Sequence, residues 1–567
     1  MATKTLIIGL DGATFDLIFP WVEQGKLPNL SKLMKEGAYG ELKSVPNMIS
    51  PAAWSSFMTG KNPGKHGIYF FLERVPRSYD SRLVNASDRE GKTMWELLSE
   101  EGQSVGVMNV PMSYPVKKVN GFWISGFDAP GIDSIGAIYP PELSKELKEN
   151  CGKYIIAVGI DSDVKSRRMD LVLKKIHDQI DMKARAAFYL FDNYPCDHFT
   201  FVFTATDTVQ HHFWKYIPEL DVPPPFPDKF TNAIYSVYER MDDILGQFVS
   251  KIDEDTVIVI VSDHGGGFAQ HGPEYINPLF ERLGLLHFIG QKAGASGLKR
   301  LSSRLVGQLL ALGGKAVNRK VKEKLVRIFP KTVDKLISRL TYSDIDWAST
   351  QAFADCGLLW RPEIWINLKG REPEGTVEPG EEYEGLRETL IEIFSSLTDP
   401  DTGEKVVARV DKREDIYHGP YVEKAADLLI TWRFNFPISG LCYEHKGERI
   451  VLDDATIGQS HSIVTGTHRP NGIFIASGKP LRKDFRLQGA EIIDVSPTIL
   501  YLMGESIPED MDGKVLEDAF AEDYLRNNPI KHKRERGEKP EIKGQLKYSD
   551  KEEKIVKERL KGLGYLE

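Results

Sequence analysis

Aspartate and histidine residues recur in this sequence at spacings that suit metal binding. Asp207 and His211 are four residues apart, so a helix that begins after the preceding strand would place both on one face. His212 is the competing neighbour, since it would point roughly 100° away on a helix of about 3.6 residues per turn. Asp263 and His264 are adjacent, and the glycines that follow make the backbone irregular enough for both side chains to turn toward one site. Both pairs are therefore candidate metal ligands.

Asp11 and His468 extend the candidate ligands to three carboxylates and three imidazoles. Taken singly, each of these residues is also explained as a helix N-cap or a structural histidine. Mixed carboxylate and imidazole ligation without thiolate suits Zn²⁺ or a related divalent ion. The set exceeds what one tetrahedral ion needs, whereas two ions about 4 Å apart would use it fully and would suit phosphoryl transfer. We predict two divalent metal ions, Zn²⁺ in the first place, with Mn²⁺ or another divalent ion as the alternative.

A candidate nucleophile lies in the segment from residue 44 to residue 68. Ser50 precedes Pro51, and because proline is favoured at the first position of a helix, the pattern predicts that Ser50 is the N-cap. Its hydroxyl would then lie beside exposed backbone N–H groups, in an environment that attracts a phosphate. The alternative is that Ser50 is only a cap, and the local sequence leaves both interpretations open.

Short apolar runs must position these residues. One run ends at or near each candidate aspartate and one follows His468: residues 5–10, 198–206, 257–261 and 472–478. Amphipathic helical patterns separate the runs, and this alternation indicates a parallel α/β sheet covered on both faces. In such sheets the ligand site lies beyond the carboxyl ends of the strands. We therefore predict an α/β fold with a mostly parallel central sheet, helices on both faces, and the three aspartates at one sheet edge.

Composition divides the chain into four segments. They are residues 1–290, the first part of the core; residues 291–342, a basic helical insert; residues 343–520, the second part of the core; and residues 521–567, a charged tail with a short helix. We predict that the tail after residue 521 is an oligomerisation or packing element rather than part of the site, so a homo-oligomer is one expectation.

The insert is the most basic part of the sequence. Residues 291–340 hold 13 Lys and Arg against only Glu323 and Asp334, and their leucines recur at helical spacing. A basic amphipathic helix can lie on an anionic membrane surface. The alternatives are a lid that brings positive charge to a phosphorylated substrate and a docked helical hairpin with a solvated basic face.

Overall composition narrows the class of protein. The net charge of −9 argues against a nucleic-acid polymer as partner. The cysteines lack CxxC spacing, which is typical of reduced thiols in a cytoplasm rather than of disulfides or a thiolate metal site. No run of about 18 uncharged apolar residues appears, and the first residues lack the features of a signal peptide. We predict a cytoplasmic protein, either free or peripheral to a membrane through residues 291–342.

The order and spacing of the motifs resemble those of a known family. Over residues 4–285 and 343–518 the chain resembles the type I phosphodiesterase/nucleotide pyrophosphatase-like branch of the alkaline phosphatase superfamily. The motifs are LIIGLDG, SPAAWSSFMTGKNPGKHGI, TATDTVQHHFW, SDHGGG and GTHRPNGIFIASG. The resemblance implies an alkaline phosphatase-like fold and these roles: Asp207, His211 and His468 on one metal ion; Asp11, Asp263 and His264 on the other; and Ser50 as the nucleophile and as a further ligand of that second ion.

Details of the Ser50 motif bear on the type of reaction. In nucleotide pyrophosphatases the nucleophile lies nine residues before the Thr of a Thr-Gly pair, and Ser50 to Thr59 keeps that interval, unlike Ser55 or Ser56. The family usually has Thr in place of Ser50, and its phosphoryl-binding Asn after HGI has no counterpart here, so monoesters and diesters both stay open. Trp54 stands where sulfatases have Arg, which argues against a sulfatase. The motif also differs from that of cofactor-independent phosphoglycerate mutases.

The resemblance implies a two-metal-dependent phosphohydrolase that cleaves phosphate esters, monoester or diester, through a covalent phosphoseryl intermediate. The expected substrate is a phosphate-ester small molecule or a phosphorylated lipid or glycan. A phosphomutase or phosphotransferase that uses the same metal core is the alternative. A non-catalytic metal-binding protein is disfavoured, because a decayed site should have lost ligands or Ser50.

Overall fold

The computed structural model describes most of the chain. The described residues are 4–217, 229–269, 272–289, 345–354, 363–434, 436–445, 447–453, 464–534 and 546–566. The insert predicted over residues 291–342 lies outside the described residues, as does Cys356. Cys151, Cys196 and Cys442 are free thiols. Among the helices that the structure describes, none combines the length and the apolar character needed to cross a membrane.

Strands and helices alternate along the described chain. The strands are β1 (Lys4–Leu10), β2 (Gly37–Lys43), β3 (Leu72–Arg74), β4 (Ser81–Leu83), β5 (Val105–Val110), β6 (Gly121–Ser125), β7 (Ile138–Tyr139), β8 (His198–Phe203), β9 (Thr256–Val261), β10 (Gly265–Phe268), β11 (Ala352–Ala354), β12 (Glu363–Ile366), β13 (Val407–Lys412), β14 (Leu428–Trp432), β15 (Gly440–His445), β16 (Glu448–Asp453), β17 (Gly466–Arg469), β18 (Asn471–Ser477), β19 (Phe485–Arg486), β20 (Ala490–Glu491), β21 (Ile507–Pro508) and β22 (His532–Lys533). The helices are α1 (Phe15–Glu23), α2 (Pro28–Lys35), α3 (Ser50–Thr59), α4 (Pro63–His66), α5 (Met94–Glu100), α6 (Leu143–Cys151), α7 (Asp161–Lys165), α8 (Met169–Asn193), α9 (Ala205–Phe213), α10 (Ala233–Val249), α11 (Ile276–Leu283), α12 (Glu381–Ser396), α13 (Arg413–Ile416), α14 (Val495–Leu502), α15 (Glu522–Asn527) and α16 (Asp550–Leu563).

The central sheet has the strand order β19-β2-β18-β9-β1-β8-β5-β6-β7, and β20 also pairs with β2. Its middle strands β9, β1, β8, β5 and β6 run parallel, whereas β18 is antiparallel to both of its neighbours. The predicted α/β fold with a large, mostly parallel sheet is therefore confirmed.

Burial on both faces explains why the central strands are almost entirely apolar. Along β1, Leu6 and Ile8 pack in the layer that contains α8 and α10, and Ile7 packs in the opposite layer with α3 and α14. Each such side chain contributes about 1.5–3 kcal/mol through burial. Covered in this way, the strands hold the loops at their carboxyl ends in fixed positions.

A second sheet lies within the segment predicted as the second part of the core. Its strands are antiparallel, in the order β11-β12-β14-β13, and they enclose a separate apolar cluster with α11 and α12. After this second sheet, β18 is the first strand that belongs to the central sheet again. Arg74 and Glu372 link the two parts through an ion pair of 2.7 Å.

Strand register brings three chain segments to one edge of the central sheet. Leu10 at the end of β1 pairs with Phe203 at the end of β8, and Gly9 pairs with Val261 at the end of β9. The turn after β1 needs Gly12, whose φ of +69° is left-handed. A Cβ at Gly12 would lie 3.0 Å from Asp207 Cβ, so glycine also permits the close approach of the two loops.

Candidate active site

The carboxylates predicted from the strand ends lie together at this edge. Asp11 follows β1, Asp207 is in the first turn of α9, and Asp263 follows β9. All three side chains are buried. The Gly12 N–H donates a hydrogen bond of 3.3 Å to Asp263 Oδ1, and the Trp54 indole N–H donates one of 3.1 Å to Asp11 Oδ2. These bonds fix one oxygen of Asp263 and one of Asp11, and the other oxygen of each is left available to a ligand in the site.

The three predicted histidines share one arrangement. Their Nδ1 atoms lie within hydrogen-bond distance of backbone carbonyls: His211 with Gly466 at 2.8 Å, His468 with Met48 at 2.7 Å, and His264 with Gly265 at 3.0 Å. A carbonyl accepts only, so Nδ1 carries the proton and Nε2 keeps its lone pair. Metal-binding histidines are typically oriented in this way by a partner on the other nitrogen.

The Nε2 atoms and the carboxylates converge in two groups. In the first, His211 Nε2 lies 3.2 Å from Asp207 Oδ1 and 3.2 Å from His468 Nε2. The second consists of Asp11, Asp207 and His264, whose ligand atoms lie within 4.8 Å of one another. Asp207 therefore belongs to both groups. Asp263, predicted for the second group, has its Oδ2 3.4 Å from His264 Nε2.

The hydrogen bonding and the pKa values of the carboxylates indicate whether these residues suit a cation. Among the described residues, Asp11 Oδ1 and Asp263 Oδ2 are buried without a hydrogen-bond partner. Burial raises the pKa of Asp11 well above its ordinary value, and the charges of Asp263 and Asp207 raise it further. Burial also raises the pKa of Asp263. Clustered buried carboxylates are costly unless a positive charge pairs with them, so the donor set fits divalent cations.

Ser50 lies beside the second group. Its Oγ is 3.3 Å from His264 Nε2, and the residue is fully buried. The prediction that Ser50 is the N-cap is wrong by one residue, because the Ala53 N–H bonds to the Ile49 carbonyl at 2.9 Å and the helix begins one position earlier. Ile49 is the cap and Pro51 takes the second helical position, where its missing N–H costs nothing.

The other serines and histidines near these motifs point elsewhere. Ser56 Oγ lies 2.9 Å from His66 Nε2, away from both ligand groups. Ser55 Oγ is buried and has no hydrogen-bond partner within the described chain. His212 faces the backbone of Gly562 on α16. Among the candidate serines it is Ser50 that lies in the site, and of the two neighbouring histidines it is His211.

Sequence reasoning missed three residues of this region. Tyr565, just after α16, places its hydroxyl 2.9 Å from Asp207 Oδ2 and 3.1 Å from Ser50 Oγ. Trp54, which was considered only as evidence against a sulfatase, donates a hydrogen bond to Asp11. Lys183 on α8 has a fully buried amine, and burial lowers its pKa to about 7, against the opposing effect of the Asp11 charge.

The prediction that the tail lies outside the site is therefore wrong. The apolar face of α16, with Val556, Leu560 and Leu563, is buried in the main apolar cluster. Gly564 then turns the chain at a φ of +92° toward the two candidate ligand groups. No local pattern signals this contact, because Tyr565 and Ser50 are 515 residues apart.

The chain is similar to known proteins, both in sequence and in fold. The model of the type I phosphodiesterase / nucleotide pyrophosphatase family matches residues 5–439. Phosphonoacetate hydrolase from Sinorhizobium meliloti 1021, in complex with phosphonoformate, is similar over 88% of this chain and 95% of that chain, with a TM-score of 0.51 and 13% identity. At that identity the likeness shows the fold alone. Human ectonucleotide pyrophosphatase / phosphodiesterase 5 covers 93% of this chain and 99% of its own, with 12% identity and a TM-score of 0.45.

A curated relative matches a short segment only. The 2,3-bisphosphoglycerate-independent phosphoglycerate mutase of Shewanella oneidensis (strain MR-1) is 43% identical over 65 residues. That segment is 12% of this chain and 12% of the mutase. The match is too short to carry the mutase's activity to this chain.

Proposed function

Because the chain belongs to the type I phosphodiesterase/nucleotide pyrophosphatase family, we propose that it is a hydrolytic enzyme of phosphoesters and that it works through Ser50 with two divalent metal ions. Zn²⁺ is the proposed metal. The proposed substrates are phosphate-ester small molecules, and the reaction passes through a phosphoseryl intermediate.

One observation carries this proposal: the Ser50 hydroxyl adjoins His264 of the second ligand group, and that group shares Asp207 with the first. Three imidazoles present Nε2 to these groups, together with two buried carboxylate oxygens that have no hydrogen-bond partner among the residues that the structure describes. Two cations close together are the arrangement that suits in-line displacement at phosphorus. A serine used only as a helix cap would not need these neighbours.

The proposed reaction proceeds in two steps, with Ser50 as the nucleophile of the first and water as the nucleophile of the second. Two divalent ions, when bound, would lower the pKa of the Ser50 hydroxyl and neutralise charge on the phosphoryl and leaving oxygens. Ser50 Oγ loses its proton to water and attacks phosphorus in line; the Oγ–P bond forms, the ester P–O bond breaks, and the leaving oxygen takes up a proton from water and departs as the alcohol. A water molecule then attacks phosphorus, the Oγ–P bond breaks, the phosphate product is released, and Oγ takes up a proton to regenerate Ser50.

Positioning rests on the backbone around these side chains. The carbonyls of Gly466, Met48 and Gly265 hold the three imidazoles in the tautomer that exposes Nε2. The N-terminus of α3 directs the positive end of its dipole toward the phosphoryl group at Ser50. The oriented imidazoles and the helix dipole are both in place before substrate binds, and such preorganisation is the condition for electrostatic catalysis.

The test is hydrolysis of p-nitrophenyl phosphate and of bis-p-nitrophenyl phosphate by purified protein of measured metal content. We expect hydrolysis with about two metal ions per chain, and the faster substrate identifies the ester class. Inactivity at full metal content, with transfer of phosphate to an added alcohol, would instead establish a phosphotransferase. A protein that binds no divalent metal would contradict the ligand assignment.

Metal removal should destabilise the protein, because it leaves Asp11, Asp207 and Asp263 buried together without a cation. At a free metal concentration of 100 times Kd, each ion contributes about 2.7 kcal/mol to the free energy of unfolding. We expect chelation to lower Tm, and Zn²⁺ to restore it. Calorimetric scans with and without chelator measure the change, and an unaltered Tm would contradict a metal centre in this site.

Trp54→Phe should weaken metal binding, because it removes the N–H that orients Asp11 Oδ2. Loss of such an orienting bond typically costs about 10–100-fold in metal affinity or activity. The measurement is the Kd of Zn²⁺ by competition with a chromophoric chelator. Trp95→Phe is the matched control, since Trp95 is equally buried but its N–H bonds to His198 and Thr200. Equal affinities in the two variants would refute the role of Trp54.

A further inference from the structure

The last described helix delivers a phenol to the centre of the candidate site. Tyr565 Oη lies 3.1 Å from Ser50 Oγ and donates a hydrogen bond of 2.9 Å to Asp207 Oδ2. It thus bridges the proposed nucleophile and the carboxylate that belongs to both ligand groups. Only 4% of the residue is exposed, so the hydroxyl is directed inward.

Aromatic packing fixes the direction of this phenol. The Tyr565 ring stacks on Phe127, with centroids 5.9 Å apart and planes 6° from parallel, and it contacts Phe71 at a centroid distance of 5.0 Å. Arg559 on α16, the helix that precedes Tyr565, donates hydrogen bonds to the carbonyls of Phe127 and Pro130, at 2.6 and 2.9 Å. The helix therefore holds both the tyrosine and the loop on which its ring rests.

The start of the helix is held as firmly as its end. Tyr548 donates a hydrogen bond of 2.9 Å to the Asp128 carbonyl and stacks on Tyr114. Ser549 and Glu552 form a capping box at the first turn. With its apolar face buried, α16 is a built part of the fold, and the Tyr565 hydroxyl is preorganised before substrate binds.

We infer that Tyr565 is a further catalytic residue, whose phenol donates a hydrogen bond to a non-bridging oxygen of the reacting phosphoryl group; this inference rests on the proposed function. When phosphorus lies in line with Ser50 Oγ, its oxygens come within reach of a donor 3.1 Å from that atom. Negative charge on these oxygens strengthens the bond in the transition state. Asp207 Oδ2 accepts the single phenol proton in this structure, and when substrate binds the O–H turns from Asp207 to the phosphoryl oxygen. The proton stays on the phenol throughout, and no covalent bond to Tyr565 forms or breaks.

Tyr565→Phe tests the inference, because it removes the hydroxyl and keeps the stacked ring. Loss of one preorganised donor to a charged transition state costs about 10²–10³-fold in kcat. We expect a loss of that size in hydrolysis of the p-nitrophenyl ester that the wild-type protein cleaves, with a much smaller change in KM. We also expect weaker binding of inorganic phosphate by calorimetry, at unchanged metal content and Tm.

Tyr548→Phe is the matched control, since it removes a hydroxyl from the same helix region at a backbone carbonyl outside the site. We expect wild-type kcat and phosphate affinity for it. Wild-type kcat in Tyr565→Phe would overturn the inference. A rise in kcat/KM would also overturn it, by showing that the phenol occupies the place of substrate and blocks the site.

A parallel Ser50→Ala variant separates this inference from the proposed function. If Ser50→Ala is inactive while Tyr565→Phe is unimpaired, the proposed function stands and only the role of Tyr565 fails. If Ser50→Ala retains full activity, the proposed function itself fails. Phosphate affinity measured on Tyr565→Phe then still reports whether the phenol contacts the anion.

Discussion

Ser50→Ala is expected to lower kcat for phosphate-ester hydrolysis by on the order of 10⁴-fold or more, the scale seen when a covalent nucleophile is removed. Without Oγ no phosphoryl group can pass to the chain, and only binding and electrostatic effects remain. Metal content and Tm should stay close to wild type, because alanine is compatible with the first turn of α3. Steady-state kinetics, metal analysis and calorimetry of the purified variant provide the test.

Ser55→Ala is the matched control for this substitution. Ser55 lies on the same helix, is equally buried, and its Oγ makes no hydrogen bond within the described residues. Its loss should therefore leave kcat unchanged. Comparable activity in the Ser50 and Ser55 variants would contradict Ser50 as nucleophile, whatever the metal content of the two proteins.

Asp207→Asn is expected to have the second largest effect, because Asp207 is common to both ligand groups. A neutral amide supplies less charge to both ions. Metal-based charge stabilisation is worth several kcal/mol in the transition state. Since each 1.36 kcal/mol is about tenfold in rate, kcat should fall on the order of 10³-fold. Bound metal, measured after dialysis, should fall below two ions per chain.

Asp263→Asn serves as the comparison for metal stoichiometry. Asp263 adjoins only the second group, through the 3.4 Å contact with His264. We expect this variant to keep the ion at Asp207, His211 and His468, and to lose affinity at the other position alone. Identical metal loss in both variants would contradict the separate roles of the two groups.

The location of the site could be predicted from the sequence because it depends on general geometry. Apolar runs that end in aspartate imply parallel strands whose carboxyl ends share one edge, and β1, β8 and β9 are neighbours in the sheet. The i, i+4 rule also separates His211 from His212. On α9, His211 faces Asp207, whereas His212 faces α16.

Features that depend on exact backbone position were harder to predict. Ser50 was placed at the N-cap because proline favours the first helical position, but the hydrogen bond from Ala53 to Ile49 shifts the helix start by one residue. The sharing of Asp207 between both ligand groups depends on side-chain distances of a few ångströms. Residue spacing alone does not contain these distances.

Tyr565 could not be predicted because nothing near it in the sequence is unusual for a charged amphipathic helix. Its role follows from the packing of α16 onto the core and from the turn at Gly564. The separate sheet β11-β12-β14-β13 could not be predicted either, because the local patterns predicted strands but not the sheet to which these strands belong.

The most direct test of the account is the stereochemical course at phosphorus. A thiophosphate analogue of the preferred ester, made chiral at phosphorus with oxygen isotopes, is turned over and the configuration of its product is determined. Each in-line displacement inverts phosphorus, so transfer to Ser50 followed by transfer to water predicts net retention. Net inversion would mean a single displacement by water, and it would contradict Ser50 as a covalent nucleophile.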